Sequence, residues 1–331
     1  MSPDKNTPSK EFWVVAEING KSINKSTFEL VSKARSLAEN SDAKTAVIIL
    51  GERVKSFFEE LTQAGVQKIY FAEAPDLIDF QDEVYAQIIA DMAKTHQPEI
   101  ILGAATVRGR SLMPRIAVLL DTGLTADCTS LEIHPDSGQL LQTRPAFGGN
   151  LLATILCQSF PQMATVRPHV FKTTNCSVKD VETELVEYDL PIPGAMKENL
   201  GFEHFKEQEA SITDAKILIS AGMGTGGPEG IKLLKELAKR LNAGLSSSRS
   251  VVDSGWLDYS HQVGQTGVTV HPDIYLACGI SGAIQHLVGM QDSGFIIAIN
   301  KDREAPIFNV ADVAICGDVM EVIPALLEQI N

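Results

Sequence analysis

The sequence predicts two α/β units in tandem: an N-terminal parallel-sheet domain of nucleotide-hydrolase-like strand order with a β-rich annex, then a second, doubly wound α/β domain. Three observations predict this. Short runs of β-branched and aromatic residues alternate with longer segments of helical period in both halves, which is the signature of βαβ crossovers and a parallel sheet. Between the halves, Pro191–Ser211 is polar, contains PIPG and has weak periodicity, so it reads as a linker that closes a first domain at 205 and opens a second at 206. In the second half, every glycine-bearing corner follows a strand, and the carboxyl edge of such a sheet is where ligands bind.

The first domain opens with the strand FWVVAE (12–17), a helix over Ser26–Ala38, the strand TAVIIL (45–50) and a helix starting near Glu52. KIYFAE (68–73), the helical YAQIIADMAKTH (85–96), EIILGA (99–104) and the amphipathic RSLMPRIAVLL (110–120) continue the alternation. From Cys128 the texture changes to short strands between turns: CTSLEIH, GQLLQTRPAF, LLATILCQ and ATVRPHVF, with PDSG (135–138) as the first turn. These four are expected to form the annex. No phosphate fingerprint occurs in this half, so its expected use is as a platform for a partner chain.

The second domain opens with KILIS at Lys216, turns through AGMGTGGPEG and enters the helix IKLLKELAKRLNA. DIYLACGISGAIQHLVGM (273–290), GFIIAIN (294–300) and VAICGD (313–318) supply three more strands, the first running into a helix, and a last helix starts at Val319.

Composition narrows the function. A formal charge of −14 over 331 residues argues against nucleic acid or an anionic membrane as partner, since those surfaces are met by clustered Lys and Arg. The first residues lack the apolar core of a signal peptide, and no apolar run reaches membrane-spanning length. The five cysteines (Cys128, Cys157, Cys176, Cys278, Cys316) show no CxxC pair and no metal-finger spacing, so reduced thiols, no metal site and a cytoplasmic location are expected.

Four polar or glycine-rich segments carry candidate chemistry. GMGTGG (222–227) lies between a strand and a helix, where backbone amides can cradle a phosphate or where a tight turn simply needs small residues; it is neither GxGxxG nor a P-loop. GISGAIQH (279–286) repeats the arrangement, with Ser281 and Gly282 at a helix start and His286 just inside it. SSSRSVVD (246–253) and QVGQTG (262–267) interrupt the helical and strand periods with hydroxyls, amides, glycines and Arg249. Taken singly, each is also compatible with a surface loop or packed corner, and the helix-start glycines suit any dinucleotide, NAD included.

In this order and spacing, SRSVVDSGW (248–256), QVGQTG, GISGAIQHLVGM (279–290) and IIAINKDREAPIFNVADVAICGD (296–318) resemble the alpha subunit of electron-transferring flavoproteins. The likeness extends into the first half through TGLTADCT (122–129), TRPAFGGN (143–150) and ATVRPHVF (164–171). It implies that the second domain is an FAD-binding domain and that its flavin lies extended and open toward a beta subunit. Ser248 and Arg249 would stand beside the ring. Val263, Gly264, Gln265 and Thr266 would follow its edge, with Gln262 also counted to the cofactor site, the Thr266 hydroxyl near flavin N5, and His286 at the N1 and C2-carbonyl end. Ser281, Gly282, Ala283, Ile284 and Gln285 would meet the phosphates and ribityl chain, with Gly279 and Ile280 also counted to the cofactor site, and Asn300, Asp318 and Val319 would meet the adenosine. Met223 and Gly224 belong to the glycine-rich turn, and Met223 stands where the family carries an arginine, so amides of Gly222–Gly226 are expected to take over that contact.

The resemblance also implies a role. Positive charge from Arg249 and His286 would favour negative charge on the reduced ring, with no catalytic residue acting on a substrate, as befits a redox carrier. Implied partners are the beta subunit and an acyl-CoA dehydrogenase-type flavoenzyme. The first-half motifs look like the versions found in fermentative bacteria, which implies electron bifurcation from NADH. A simple carrier fed by acyl-CoA dehydrogenases is the alternative, and an NAD-binding enzyme a more distant one.

Overall fold

The computed structural model describes residues 8–39, 41–146, 151–174, 183–194, 197, 212–213 and 215–330. The chain divides into two compact units, 1–201 and 202–331. The expected boundary at 205, most of the linker, Cys176 and residues 147–150 of TRPAFGGN lie outside the described residues.

The first unit is a seven-stranded, wholly parallel sheet with a three-stranded antiparallel one beside it. In chain order its elements are β1 (Ser9–Val15), α1 (Lys25–Ala38), β2 (Lys44–Gly51), α2 (Phe58–Gln63), β3 (Lys68–Glu73), α3 (Asp82–His96), β4 (Pro98–Ala104), α4 (Val107–Leu119), β5 (Leu124–Cys128), β6 (Ser130–Ile133), β7 (Leu140–Ala146), β8 (Leu151–Leu156), β9 (Gln162–Val166) and β10 (Glu184–Glu187). The large sheet runs β10-β3-β2-β1-β4-β9-β5. Its central strands read as unbroken apolar runs because both faces are covered. Successive residues of β1 show this: Phe12 and Val14 join the core with Leu30 and Val31 of α1, whereas Trp13 and Val15 join the core with Ile88 of α3 and Met113 of α4. Full burial of each such side chain contributes about 1.5–3 kcal/mol.

The strand order reverses between β1 and β4, the position where nucleotides bind in open α/β sheets. Here the chain fills it with its own groups. The Thr106 hydroxyl donates to Oε1 of the buried Glu17 at 2.5 Å and accepts the Gly109 amide at 3.0 Å, capping α4.

The annex is smaller than expected. It is the antiparallel order β8-β7-β6, and ATVRPHVF does not belong to it. β9, whose five residues are all buried, inserts between β4 and β5 in the parallel sheet. Reading chain neighbours as spatial neighbours fails here because the annex meander is an excursion from which the chain returns to the core.

The second unit comprises β11 (Ile217–Ala221), α5 (Pro228–Leu241), β12 (Gly244–Ser247), α6 (Arg249–Asp253), β13 (Ile274–Cys278), α7 (Ile284–Leu287), β14 (Ile296–Asn300), β15 (Val313–Cys316) and α8 (Val319–Gln329). Its parallel sheet has the order β12-β11-β13-β14-β15, reversing between β11 and β13. Ile219, Ala221, Leu276 and Ile299 pack with Leu234 of α5 and Ile323 of α8, while Leu218, Tyr275 and Ala298 turn to the other face. Irregular chain covers that second face: Val263, Val270, Met290 and Ile307 seal it.

Helix ends follow local chemistry. α5 starts at Pro228 with Glu229 in its first turn and ends with Lys239, Arg240 and left-handed Asn242 (φ 49°). The helix expected through GISGAIQHLVGM lasts one turn, because a β-carbon at Gly289 would stand 2.4 Å from the Gly264 amide nitrogen, a backbone approach that takes the chain off the helical path. SSSRSVVD, expected to be irregular, supplies the edge strand β12 and the short α6.

Candidate functional site

Two corners leave adjacent strands at the reversal between β11 and β13, and they are stitched together. Gly222 donates to the Cys278 carbonyl at 2.8 Å and Gly224 to the Gly279 carbonyl at 3.0 Å. A β-carbon at Gly222 would lie 2.2 Å from the Gly279 carbonyl oxygen. GMGTGG therefore needs glycine for close backbone packing. Thr225 and Gly226 also donate inside the turn, to the carbonyls of Gly222 and Met223. The expected phosphate cradle of Gly222–Gly226 amides is thus corrected: the amides of Gly222, Gly224, Thr225 and Gly226 are already used by the chain.

The second corner is the opposite case. Gly279 (φ 66°) and Gly282 (φ 88°) bend it, a β-carbon on Gly282 would meet Ile307 nitrogen at 2.2 Å, and Ile307 donates to the Ser281 carbonyl at 3.0 Å. Among the described residues the amides of Ser281, Gly282, Ala283, Ile284 and Gln285 meet no acceptor, as expected of a corner entering a helical turn. These are the amides free to bind an anion.

A cleft of about 390 Å³ opens above the two corners, a size that suits a sizeable ligand. Met223, Ser248, Arg249, Ser250, Val263, Gly264, Gln265, Thr266, Gly279, Ile280, Ser281, Ala283, Gln285 and His286 line it. Residues from all four expected segments are brought together, and Ser250 is an addition that the sequence did not single out.

Each wall has a local cause. Ser248 donates its amide to the Ala221 carbonyl at 2.9 Å and begins α6, on which Arg249 stands exposed, its Nε 3.3 Å from Asp253 Oδ2. The loop 262–267 is held by Val263 donating to the Ser247 carbonyl (2.9 Å) and Gln265 to the Gln285 carbonyl (2.7 Å). Gln262 Nε2 donates to the Thr266 hydroxyl at 3.0 Å and the Tyr259 hydroxyl to the Thr266 carbonyl, leaving the Thr266 hydroxyl proton available to a ligand.

His286 is 6% exposed, with Nε2 2.9 Å from the Tyr275 hydroxyl and no hydrogen-bond partner for Nδ1. Burial pushes its pKa down to about 4, against a smaller upward pull from the Val263 carbonyl. The expected cationic imidazole is therefore a neutral one at pH 7, and Arg249 is the charged side chain of the cleft wall.

The other expected residues support the cleft or stand beyond it. Gly224 lies beneath Gly279, Gln262 is buried behind Thr266, Gly282 packs on Ile307, and Ile284 faces outward. Asn300 Nδ2 donates to the Ile280 carbonyl at 2.8 Å, holding the corner from the end of β14. Asp318 caps α8 through the Met320 amide and pairs with Lys301 at 2.8 Å, which holds its carboxyl below the usual range, and Val319 is buried. Met223 lines the cleft and its sulfur accepts the Ser254 hydroxyl at 3.7 Å, so the side chain at this position brings no positive charge to the cleft.

Cys128, Cys157, Cys278 and Cys316 are unbridged, and no helix among the described residues is long and apolar enough to cross a membrane.

The donor set fits a dinucleotide-sized flavin: free corner amides for phosphate, an unpartnered buried imidazole nitrogen, a threonine hydroxyl and one guanidinium around a partly enclosed cleft. Residues 12–191 match the family model described as electron transfer flavoprotein domain, and residues 211–291 the one described as electron transfer flavoprotein FAD-binding domain. A Clostridium saccharobutylicum protein named FixB is 45% identical over 326 residues, covering 97% of this chain and 96% of the relative. The electron transfer flavoprotein subunit alpha of Thermoanaerobacterium thermosaccharolyticum is 45% identical over 325 residues, covering 97% and 98%. The acryloyl-CoA reductase electron transfer subunit beta of Anaerotignum propionicum is 40% identical over 359 residues, covering 97% and 96%. Match and site agree: the chain belongs to the electron transfer flavoprotein alpha-subunit family.

Proposed function

We propose that this chain is the FAD-carrying alpha subunit of a cytoplasmic heterodimer, relaying electrons between its beta subunit and an acyl-CoA dehydrogenase-type flavoenzyme. The observation that carries the reading is the contrast between the two corners: amides 281–285 are free beside an unpartnered His286 Nδ1, whereas the glycine-rich turn is closed on itself. Bound FAD supplies the electron-accepting chemistry. The chain's residues bind and polarise it. Amides of Ser281–Gln285 hold phosphate, Asn300 and the Asp318–Val319 turn lie at the adenosine end, and Thr266, Arg249 and His286 face the ring. Arg249 stabilises negative charge electrostatically, while neutral His286 does so as a hydrogen-bond donor.

A protein partner for the first unit is favoured by β8, whose Leu151 and Leu152 are 59% and 69% exposed on an apolar edge strand. Such strands are covered in working proteins. The acyl-CoA side of the reading draws on the relative named as an acryloyl-CoA reductase electron transfer subunit. Bifurcation from NADH, with a second FAD in the beta chain, draws on TGLTADCT, TRPAFGGN and VRPHVF. Counting flavins per heterodimer and adding NADH tests it: two flavins with NADH-dependent bleaching are expected, and one flavin that NADH does not bleach would return the chain to the simple carriers.

A further inference from the structure

We propose that Tyr275 is a positioning residue of the flavin site: its buried hydroxyl donates to Nε2 of His286 and thereby fixes the imidazole as the tautomer whose proton sits on Nδ1. The inference rests on the flavin reading for the ligand's identity, but the hydrogen bond itself belongs to the chain alone.

The 2.9 Å contact between Tyr275 Oη and His286 Nε2 fits either direction of donation, so the surroundings decide. Tyr275 is fully buried on β13 and faces away from the helix-covered side of the sheet. Neither the Ser220 hydroxyl of β11 nor the Ser246 hydroxyl of β12 makes a hydrogen bond, so Nε2 of His286 is the partner that the structure gives the phenol. In a dry pocket a hydroxyl proton turns to the lone pair within reach, and a phenol that only accepted from an Nε2–H would leave its own proton without one. That leaves the phenol's proton directed at His286. With Nε2 accepting, the neutral ring carries its proton on Nδ1, the nitrogen without a partner, in a residue that lines the cleft.

The consequence is a donor of fixed direction and no net charge. A histidine free to switch tautomers would offer a cleft ligand a lone pair part of the time; this one offers a proton throughout. A donor aimed where negative charge develops gains strength as the charge grows, without a second cation beside Arg249.

The test is long-range proton–nitrogen NMR of the histidine rings in the full-length chain, flavin-free and flavin-loaded, for wild type, Tyr275→Phe and His286→Gln. The wild type is expected to show Nδ1 protonated and Nε2 bearing the lone pair in both states. Tyr275→Phe should show a mixture with Nε2–H and bind FAD about three- to tenfold more weakly, the range one neutral hydrogen bond commands. The double variant should lose little more than His286→Gln alone, since the tyrosine acts through the histidine. A wild-type ring protonated on Nε2, or a tautomer unchanged by Tyr275→Phe, overturns the proposal; the first of these decides even if the variant does not fold. A chain showing the Tyr275-dependent Nδ1–H but no affinity for FAD would support the hydrogen bond and sink the flavin reading instead.

Discussion

Gly224 donates its amide to the carbonyl of Gly279 at 3.0 Å, and a β-carbon on Gly279 would stand 2.6 Å from the Gly224 backbone. Gly279 also sits at φ 66°. Gly279→Ala is therefore expected to cost about 3 kcal/mol or more, from left-handed strain and a backbone clash that cannot relax cheaply. Gly138, at φ 70° with open space around it, is the control: Gly138→Ala should cost only about 1–2 kcal/mol. Denaturant unfolding of the two variants checks the difference.

The pH dependence of stability follows from His286. Unfolded, its imidazole takes a proton near pH 6.5; folded, near pH 4. Between those values the unfolded chain binds more protons, so stability is complete above about 6.5 and falls as pH falls toward 4, by up to about 3 kcal/mol. His286→Gln should flatten that part of the curve. An equal slope in the variant would show that His286 is not held neutral.

Arg249 is exposed and its pairing with Asp253 is an i,i+4 surface contact, so Arg249→Ala should change stability by less than about 1 kcal/mol. Its expected effect is on the cofactor. Removing the cation of the cleft wall should lower the flavin reduction potential by the equivalent of about 1–3 kcal/mol, measured by redox titration of the loaded protein. An unchanged potential would remove Arg249 from the site.

Leu152 on the exposed edge strand β8 is expected to be buried by the partner chain. Leu152→Glu should leave the chain's own unfolding nearly unchanged and weaken heterodimer association about tenfold or more. Equal affinity for the beta subunit would place the interface elsewhere.

The parallel strands were legible because full burial writes them as Val/Ile/Leu runs such as Ala46–Leu50 and Ile100–Leu102. β9 was assigned to the annex because its chain neighbours are there, and sheet order is decided by long-range pairing that local pattern does not carry. β12 was missed because Gly244–Ser247 packs serines, leaving no hydrophobic period to read. At the site, the four lining segments were legible from their glycines and hydroxyls, whereas the state of their polar groups was not. Whether the Gly224 amide is free, or His286 is neutral, depends on Gly279 and Tyr275, which reach them only through the fold. Tyr275 itself looked like one more residue of an apolar strand.

The cleft at the β11–β13 reversal is expected to hold FAD. Releasing the cofactor from the chain purified with its partner, and identifying it by chromatography, tests this most directly. One FAD per alpha chain is expected, with its loss in Ala283→Trp, which sets a bulky side chain on an exposed lining residue of the free corner. FMN, a nicotinamide dinucleotide, or no bound nucleotide in the wild type would contradict it.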